Sequence, residues 1–153
     1  MALYEDDEIG MAGADERHNK KQCELATYLS TYLAIKKKYA NNYTVYTQEP
    51  VKEDRNSKIP DVCIKEAKTK KCVLLIEITN NLSTEIKKAK EYREEGIKAE
   101  IFVYEYIKEK WYKADENGDL QENESKSDIF KLKIANTMKK TLLEFIRKLV
   151  FGF

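Results

Sequence analysis

Nothing in these 153 residues approaches the roughly 20 consecutive apolar positions a helix needs to cross a bilayer. Neither sign of charge dominates: the formal net charge is +1, so no global affinity for a polyanion is advertised. Basic residues can still cluster locally, so a nucleic-acid partner is neither implied nor excluded by charge. Cysteine is scarce and odd in number. Cys23, Cys63 and Cys72 are far apart, each in an apolar stretch, which argues against a disulfide framework or a zinc site. Buried thiols in a reducing cytoplasm are expected instead. The acidic Glu5-Asp6-Asp7-Glu8 is the reverse of a signal peptide. Repeats, low-complexity tracts and a convincing domain boundary are missing too. The expectation is one domain over residues 15–153 behind a flexible leader, 1–14.

What is present reads as alternating helices and strands. A helix is predicted from about Asp15 to Lys38, with Leu25, Leu29, Tyr32 and Leu33 on one face and Asn41-Asn42 at its end. Tyr43–Thr47 is a strand closed by Pro50, and 53–58 is a polar loop. Strands follow at Asp61–Lys65 and Cys72–Thr79. Asn80-Asn81 breaks the second, Ser83 or Thr84 caps a helix running to Glu95, and Gly96 suits its C-terminal end. Ala99–Ile107 and Glu109–Ala114 are further strands, with a turn at Asn117-Gly118. An amphipathic helix is predicted over about 134–150. The order is helix, three strands, helix, two or three strands and a final helix: an α/β or α+β mixed sheet flanked by helices. The strands joined through the middle helix should run parallel.

The most informative residue is Glu77, inside the apolar run Cys72-Val73-Leu74-Leu75-Ile76-Glu77-Ile78-Thr79. Carboxylates are almost never fully buried unless paired or bound to metal. A hairpin turning on Glu66–Lys71 and centred near Thr69 puts Asp61 opposite Glu77. Opposed residues in an antiparallel pair have Cβ atoms roughly 4.5–5.5 Å apart, and two carboxylates at that distance need a proton or a cation between them. Mg²⁺ binds in this way through one or two carboxylates. The plainer reading is that Asp61 opens a strand and Glu77 nears a strand end within reach of water. A register slip of one residue would turn Glu77 to the other face. Lys87, Lys88 and Lys90 lie on the following helix. A lysine beside metal-bound carboxylates can orient water or offset phosphate charge, but position alone does not choose among the three.

Pro60-Asp61, a hairpin and Glu77-Ile78-Thr79 together resemble the PD-(D/E)XK nuclease superfamily, whose fold is restriction-endonuclease-like. Thr79 stands where that motif usually has its lysine. Glu85, Lys88, Tyr92, Gly96-Ile97 and Glu100-Ile101-Phe102 resemble, in order, the Uma-type branch of small putative endonucleases. Trp111-Tyr112-Lys113-Ala114 and Asn117-Gly118-Asp119-Leu120 resemble its terminal hairpin. The resemblance covers roughly residues 16–120. It implies Asp61 and Glu77 as ligands of Mg²⁺ or Mn²⁺, and Lys88, with Lys90 second, as a displaced catalytic lysine. DNA is the implied partner, and a homodimer is compatible with it. Glu24 on the first helix would be a further metal ligand; Gln48 and Glu49 could approach the site; His18 is expected to pack or to bond at the helix end. Lys68, Lys70 and Lys71 could bind the phosphate backbone. Two other readings stay open: a non-catalytic binding or assembly module of the same fold, and an unrelated interaction domain that uses its last helix.

Overall fold

The computed structural model describes residues 2–52 and 57–152, with side-chain surroundings from Glu16 onward. Most of the polar loop expected at 53–58 therefore lies outside the described residues. The first helix, α1, spans Ala2–Ile35 and the second, α2, spans Leu82–Glu94. The strands are β1 (Tyr43–Thr47), β2 (Val62–Glu66), β3 (Cys72–Thr79), β4 (Glu100–Glu105), β5 (Lys110–Ala114) and β6 (Leu120–Glu122). They form one six-stranded sheet in sequence order. Every neighbouring pair is antiparallel except β3–β4, which is parallel and joined through α2. A two-stranded ribbon, β7 (Lys126–Ser127) with β8 (Leu132–Lys133), precedes a 3₁₀ helix at Ile134–Lys139 and a last helix, α3, at Leu142–Phe151.

Side-chain alternation divides the core between the two faces of the sheet. Even-numbered positions of β2 and β3 (Val62, Ile64, Leu74, Ile76, Ile78) pack against Leu25, Leu29, Tyr32 and Leu33 of α1 and Phe145 of α3. The opposite face carries Cys63, Leu75 and Ile101 against Ala89 and Tyr92 of α2. Glu77 has the parity of Leu75, so it belongs to the α2 face.

Turn chemistry holds α2 in place. At its C-terminus Gly96 has φ +79°; its N–H donates to Arg93 O and that of Ile97 to Tyr92 O, the paired bonds of a Schellman end. Arg93 then donates to the carbonyls of Ile97, Ala99 and Asp115, tying the helix to β4 and to the end of β5. Gly118, in the β5–β6 turn, has φ +85°, and a Cβ there would lie 2.8 Å from the Lys90 Cα. Only glycine lets this turn approach the α2 backbone.

Four local expectations are corrected. The helix expected from about Asp15 to Lys38 spans Ala2–Ile35; beyond it the chain turns, with Tyr39 N and Ala40 N both donating to Lys36 O, and reaches Asn41 at φ +67°. The N-cap of α2 is Asn81, not Ser83 or Thr84, and the Asn81 side chain accepts a bond from the Ser83 hydroxyl instead of capping a backbone N–H. The single helix expected at 134–150 is two pieces. Lys140 is extended (φ −125°, ψ 153°), its carbonyl accepts from the Tyr28 hydroxyl, and Thr141 caps a fresh helix by accepting from Glu144 N. Cys63 and Cys72 are buried as expected, but Cys23 is exposed, because α1 turns that position away from the sheet.

Candidate active site

The hairpin register is the one that opposes Asp61 to Glu77. Val62 pairs with Ile76, Cys63 with Leu75 and Ile64 with Leu74; the register shifts only beyond Ile64, on the turn side. Asp61 extends the same ladder by one step, and its Oδ2 accepts from Ile78 N at 2.7 Å. The carboxylate is thereby fixed at the carboxyl end of β3, where open sheets with helical crossovers place their ligands.

Three other side chains hold Asp61. His18 Nε2, from α1, lies 3.1 Å from Oδ1, and Gln48 Nε2 donates to the same oxygen at 3.3 Å. Gln22 Nε2 donates to the Asp61 carbonyl at 2.7 Å, and Gln22 is itself buried. His18 and Gln22 are four residues apart, so one face of α1 delivers both. Gln48 reaches Asp61 from just beyond β1 with φ +55°.

Glu77 is 4% exposed, and two residues of α2 reach it. Lys88 Nζ donates to Oε2 at 2.7 Å and Tyr92 OH to Oε1 at 2.9 Å. Their spacing of four residues explains how a single helix face supplies both. Burial raises the Glu77 pKa to about 7; the Lys88 ammonium opposes the rise, while the charges of Asp61 and Glu85 add to it. Burial likewise raises Tyr92, with Glu77 adding to the effect, so the phenol stays a neutral donor.

Glu85 completes the cluster. It sits in the first turn of α2, buried at 9% exposure, and its Oε2 has no hydrogen-bond partner. Burial raises its pKa, opposed by Lys88, and Asp61 raises it further. Three carboxylates thus share one end of the sheet with one ammonium close by. Among the described residues no three His, Cys, Asp or Glu side chains already close into a metal cage.

The other candidate residues lie apart. Thr79 is turned into the strand–helix connection, where its hydroxyl donates to Asn81 O and accepts from Asn81 N. Lys90 faces the β5–β6 turn and pairs with Asp119 at 3.4 Å. Glu24 pairs with Lys21 along α1, and Glu49 lies 3.9 Å from Lys65. The hairpin lysines Lys68, Lys70 and Lys71 occupy the far end of β2 and β3; at about 3.3 Å per residue, β3 alone separates Lys71 from Glu77 by roughly 20 Å. Gln22 and Glu85 were not among the predicted site residues. Their signals are a polar residue on the apolar stripe that runs through Leu25 and Leu29, and an acid on the α2 face that carries Ala89 and Tyr92.

Comparison with known proteins bears on the fold. No protein-family model matches this chain, and no curated protein matches it. Among solved structures it is similar to the type IIG restriction endonuclease BpuSI, at 20% identity and a TM-score of 0.52. The match takes in 86% of this chain and 15% of that one, so this chain corresponds to a small part of the enzyme. The fold is restriction-endonuclease-like: a mixed, mostly antiparallel six-stranded sheet flanked by helices.

Proposed function

We propose that the chain is a metal-dependent nuclease of the PD-(D/E)XK kind, close to the Uma-type branch, that hydrolyses phosphodiester bonds in DNA. The observation that carries this reading is the Asp61–Glu77 pair at the end of β3 with Lys88 hydrogen-bonded to Glu77. It is supported by a fold similar to a restriction endonuclease.

The donor set fits a hard divalent cation. All the candidate ligand atoms are carboxylate oxygens, the set that Mg²⁺ and Mn²⁺ prefer. Burial disfavours the ionised Glu77, Asp61 and Glu85 disfavour it further, and the Glu85 Oε2 is an orphaned buried acceptor. A cation would relieve all three. Asp61 and Glu77 would hold it, with Glu85 beside them. Bound there, it supplies charge neutralisation at a phosphate and acidifies a coordinated water.

The chain's own residues do the positioning. His18, Gln48 and the Ile78 N–H fix Asp61, and Tyr92 fixes Glu77 Oε1. Lys88 takes the role left open by Thr79: its ammonium, half-buried and bonded to Glu77, orients the attacking water or offsets charge on the phosphate. Thr79 itself is committed to the turn that starts α2, where its hydroxyl bonds Asn81.

Cleavage of DNA in Mg²⁺ or Mn²⁺ by the wild-type protein, lost in Asp61→Asn and Glu77→Gln, is the expected result. Equal cleavage by the variants removes these residues from the site. One observation favours a second reading, a non-catalytic module of the same fold: Thr79 stands in the usual lysine position. Folded wild-type protein that cleaves no form of DNA with either metal would select it.

A further inference from the structure

At the opposite end of β3 from Glu77, on the α2 face of the sheet, lies a cavity of about 570 Å³. Lys52, Lys65, Lys70, Lys71 and Lys98 line it, and among the described residues no acid does. The five lysines come from four separate stretches: the segment after β1, β2 itself, the β2–β3 turn and the link from α2 to β4. Lysines that follow one another on a helix are an ordinary solvated face. Here the fold gathers them round one hollow, in a chain whose net charge is only +1. Like charges held together repel, and an anion between them relieves the repulsion.

Little in the protein neutralises these cations. Lys65 is 5% exposed; its Nζ donates to Pro50 O at 2.6 Å, and the carboxylate paired with it, Glu49, is 3.9 Å away and itself exposed. An ammonium carries three donors, so a buried one is left with donors to spend. Lys70, Lys71 and Lys98 form no ion pair among the described residues. Glu95, beside the lining residue Gly96, gives its carboxylate to Lys58 and its carbonyl to Lys52. Arg93 takes the Ile97 carbonyl, so the negative end of α2 is already covered where it meets the cavity.

The volume falls within the range of small-molecule sites, roughly 300–1,000 Å³. A nucleic-acid backbone strings its charges along a line and is met by lysines spread over a surface. A hollow closed by four segments instead matches charge gathered on one small molecule. We propose that this cavity binds the phosphate chain of a small molecule, two or more phosphates in series, as in inorganic tripolyphosphate or a nucleoside triphosphate. Lys65 meets it from the floor, and Lys70, Lys71 and Lys98 close on it from the rim. The site is independent of the nuclease reading and too far from Asp61 and Glu77 to hold a scissile phosphate.

Isothermal titration of the full chain, metal-free and in physiological salt, tests this with inorganic tripolyphosphate, adenosine triphosphate, orthophosphate and a short blunt DNA duplex. Saturable one-site binding of tripolyphosphate is expected, at least tenfold tighter than orthophosphate. The double variant Lys71→Glu with Lys98→Glu should weaken it at least tenfold; both lysines are exposed, so the fold should survive. The charge-matched control Lys20→Glu with Lys37→Glu, exposed positions away from the cavity, should bind as wild type does. Equal affinity for the two triphosphates would show that the phosphate chain alone is read; tenfold tighter adenosine triphosphate would make the ligand a nucleotide. No binding of either, binding indifferent to the Lys71–Lys98 variant, or binding weakened as much by the control would overturn the proposal. So would a duplex that binds tenfold tighter than tripolyphosphate and loses that binding in the Lys71–Lys98 variant, which would make the lysines a backbone contact. Loss of DNA cleavage in Glu77→Gln with tripolyphosphate binding unchanged is expected, since the two sites are separate.

Discussion

Lys88 reaches back from α2 to Glu77 on β3, with Nζ 2.7 Å from Oε2, and is the cation that hydrogen-bonds this buried carboxylate. Removing it leaves Glu77 with burial and two like charges, Asp61 and Glu85. Lys88→Met should therefore lower DNA cleavage by about 10²-fold or more. Breaking the pair should also cost on the order of 1–3 kcal/mol, held down because Glu77 can take up a proton. Lys88→Arg should recover most of the stability and little of the rate. Denaturation midpoints and cleavage rates of the two variants check this.

The raised pKa of Glu77 sets a pH dependence of stability. A carboxyl whose pKa is higher in the folded state, here about 7 against an ordinary 4.5, binds its proton more tightly when folded. Its contribution is fully present below about pH 4.5 and is lost as the pH rises through 7. Metal-free wild type should lose on the order of 2–3 kcal/mol relative to Glu77→Gln between pH 5 and pH 8. Urea titrations of both proteins across that range measure the difference; parallel curves would contradict it. Mg²⁺ should stabilise the wild type more at pH 8 than at pH 6, because it competes with that proton.

Glu85→Gln removes a like charge from beside Asp61 and lets the side chain donate a hydrogen bond. Metal-free protein should gain roughly 1 kcal/mol of stability. Its Mn²⁺ affinity should fall about tenfold, because a negative charge leaves the metal's surroundings. Thermal melts with and without Mn²⁺ separate the two effects.

Gly118→Ala tests how closely the β5–β6 turn approaches α2. The added Cβ meets the Lys90 Cα at 2.8 Å, and φ +85° is strained for alanine. The expected loss is about 2 kcal/mol or more, read as a drop of several degrees in the midpoint. Lys90→Met, by contrast, should change neither stability nor cleavage appreciably, since its pair with Asp119 is exposed.

The parts of this site that local rules govern were legible in the sequence. The hairpin length fixed which residue faces Glu77, and the register shift past Ile64 falls on the turn side, so the predicted opposition of Asp61 and Glu77 survives. Helical spacing likewise brings Lys88 and Tyr92 to one acid. What depends on packing between distant segments was not legible. His18, expected to pack or to bond at the helix end, instead bonds Asp61, and Gln22 joins it there, because α1 crosses the sheet next to β2. The break at Lys140 is another case: the Tyr28 hydroxyl, 112 residues away, claims its carbonyl. Amphipathic periodicity continues through that break and gives no sign of it.

The proposal that the Asp61–Glu77–Lys88 cluster cuts DNA with a divalent metal stands or falls on one assay. Conversion of supercoiled plasmid to nicked circle in Mn²⁺, followed side by side for wild type, Glu77→Gln and Lys90→Met, tests it most directly. Nicking by wild type and Lys90→Met, and none by Glu77→Gln, is the expected result. Nicking by Glu77→Gln at the wild-type rate, or none by folded wild type with any divalent metal, would contradict it.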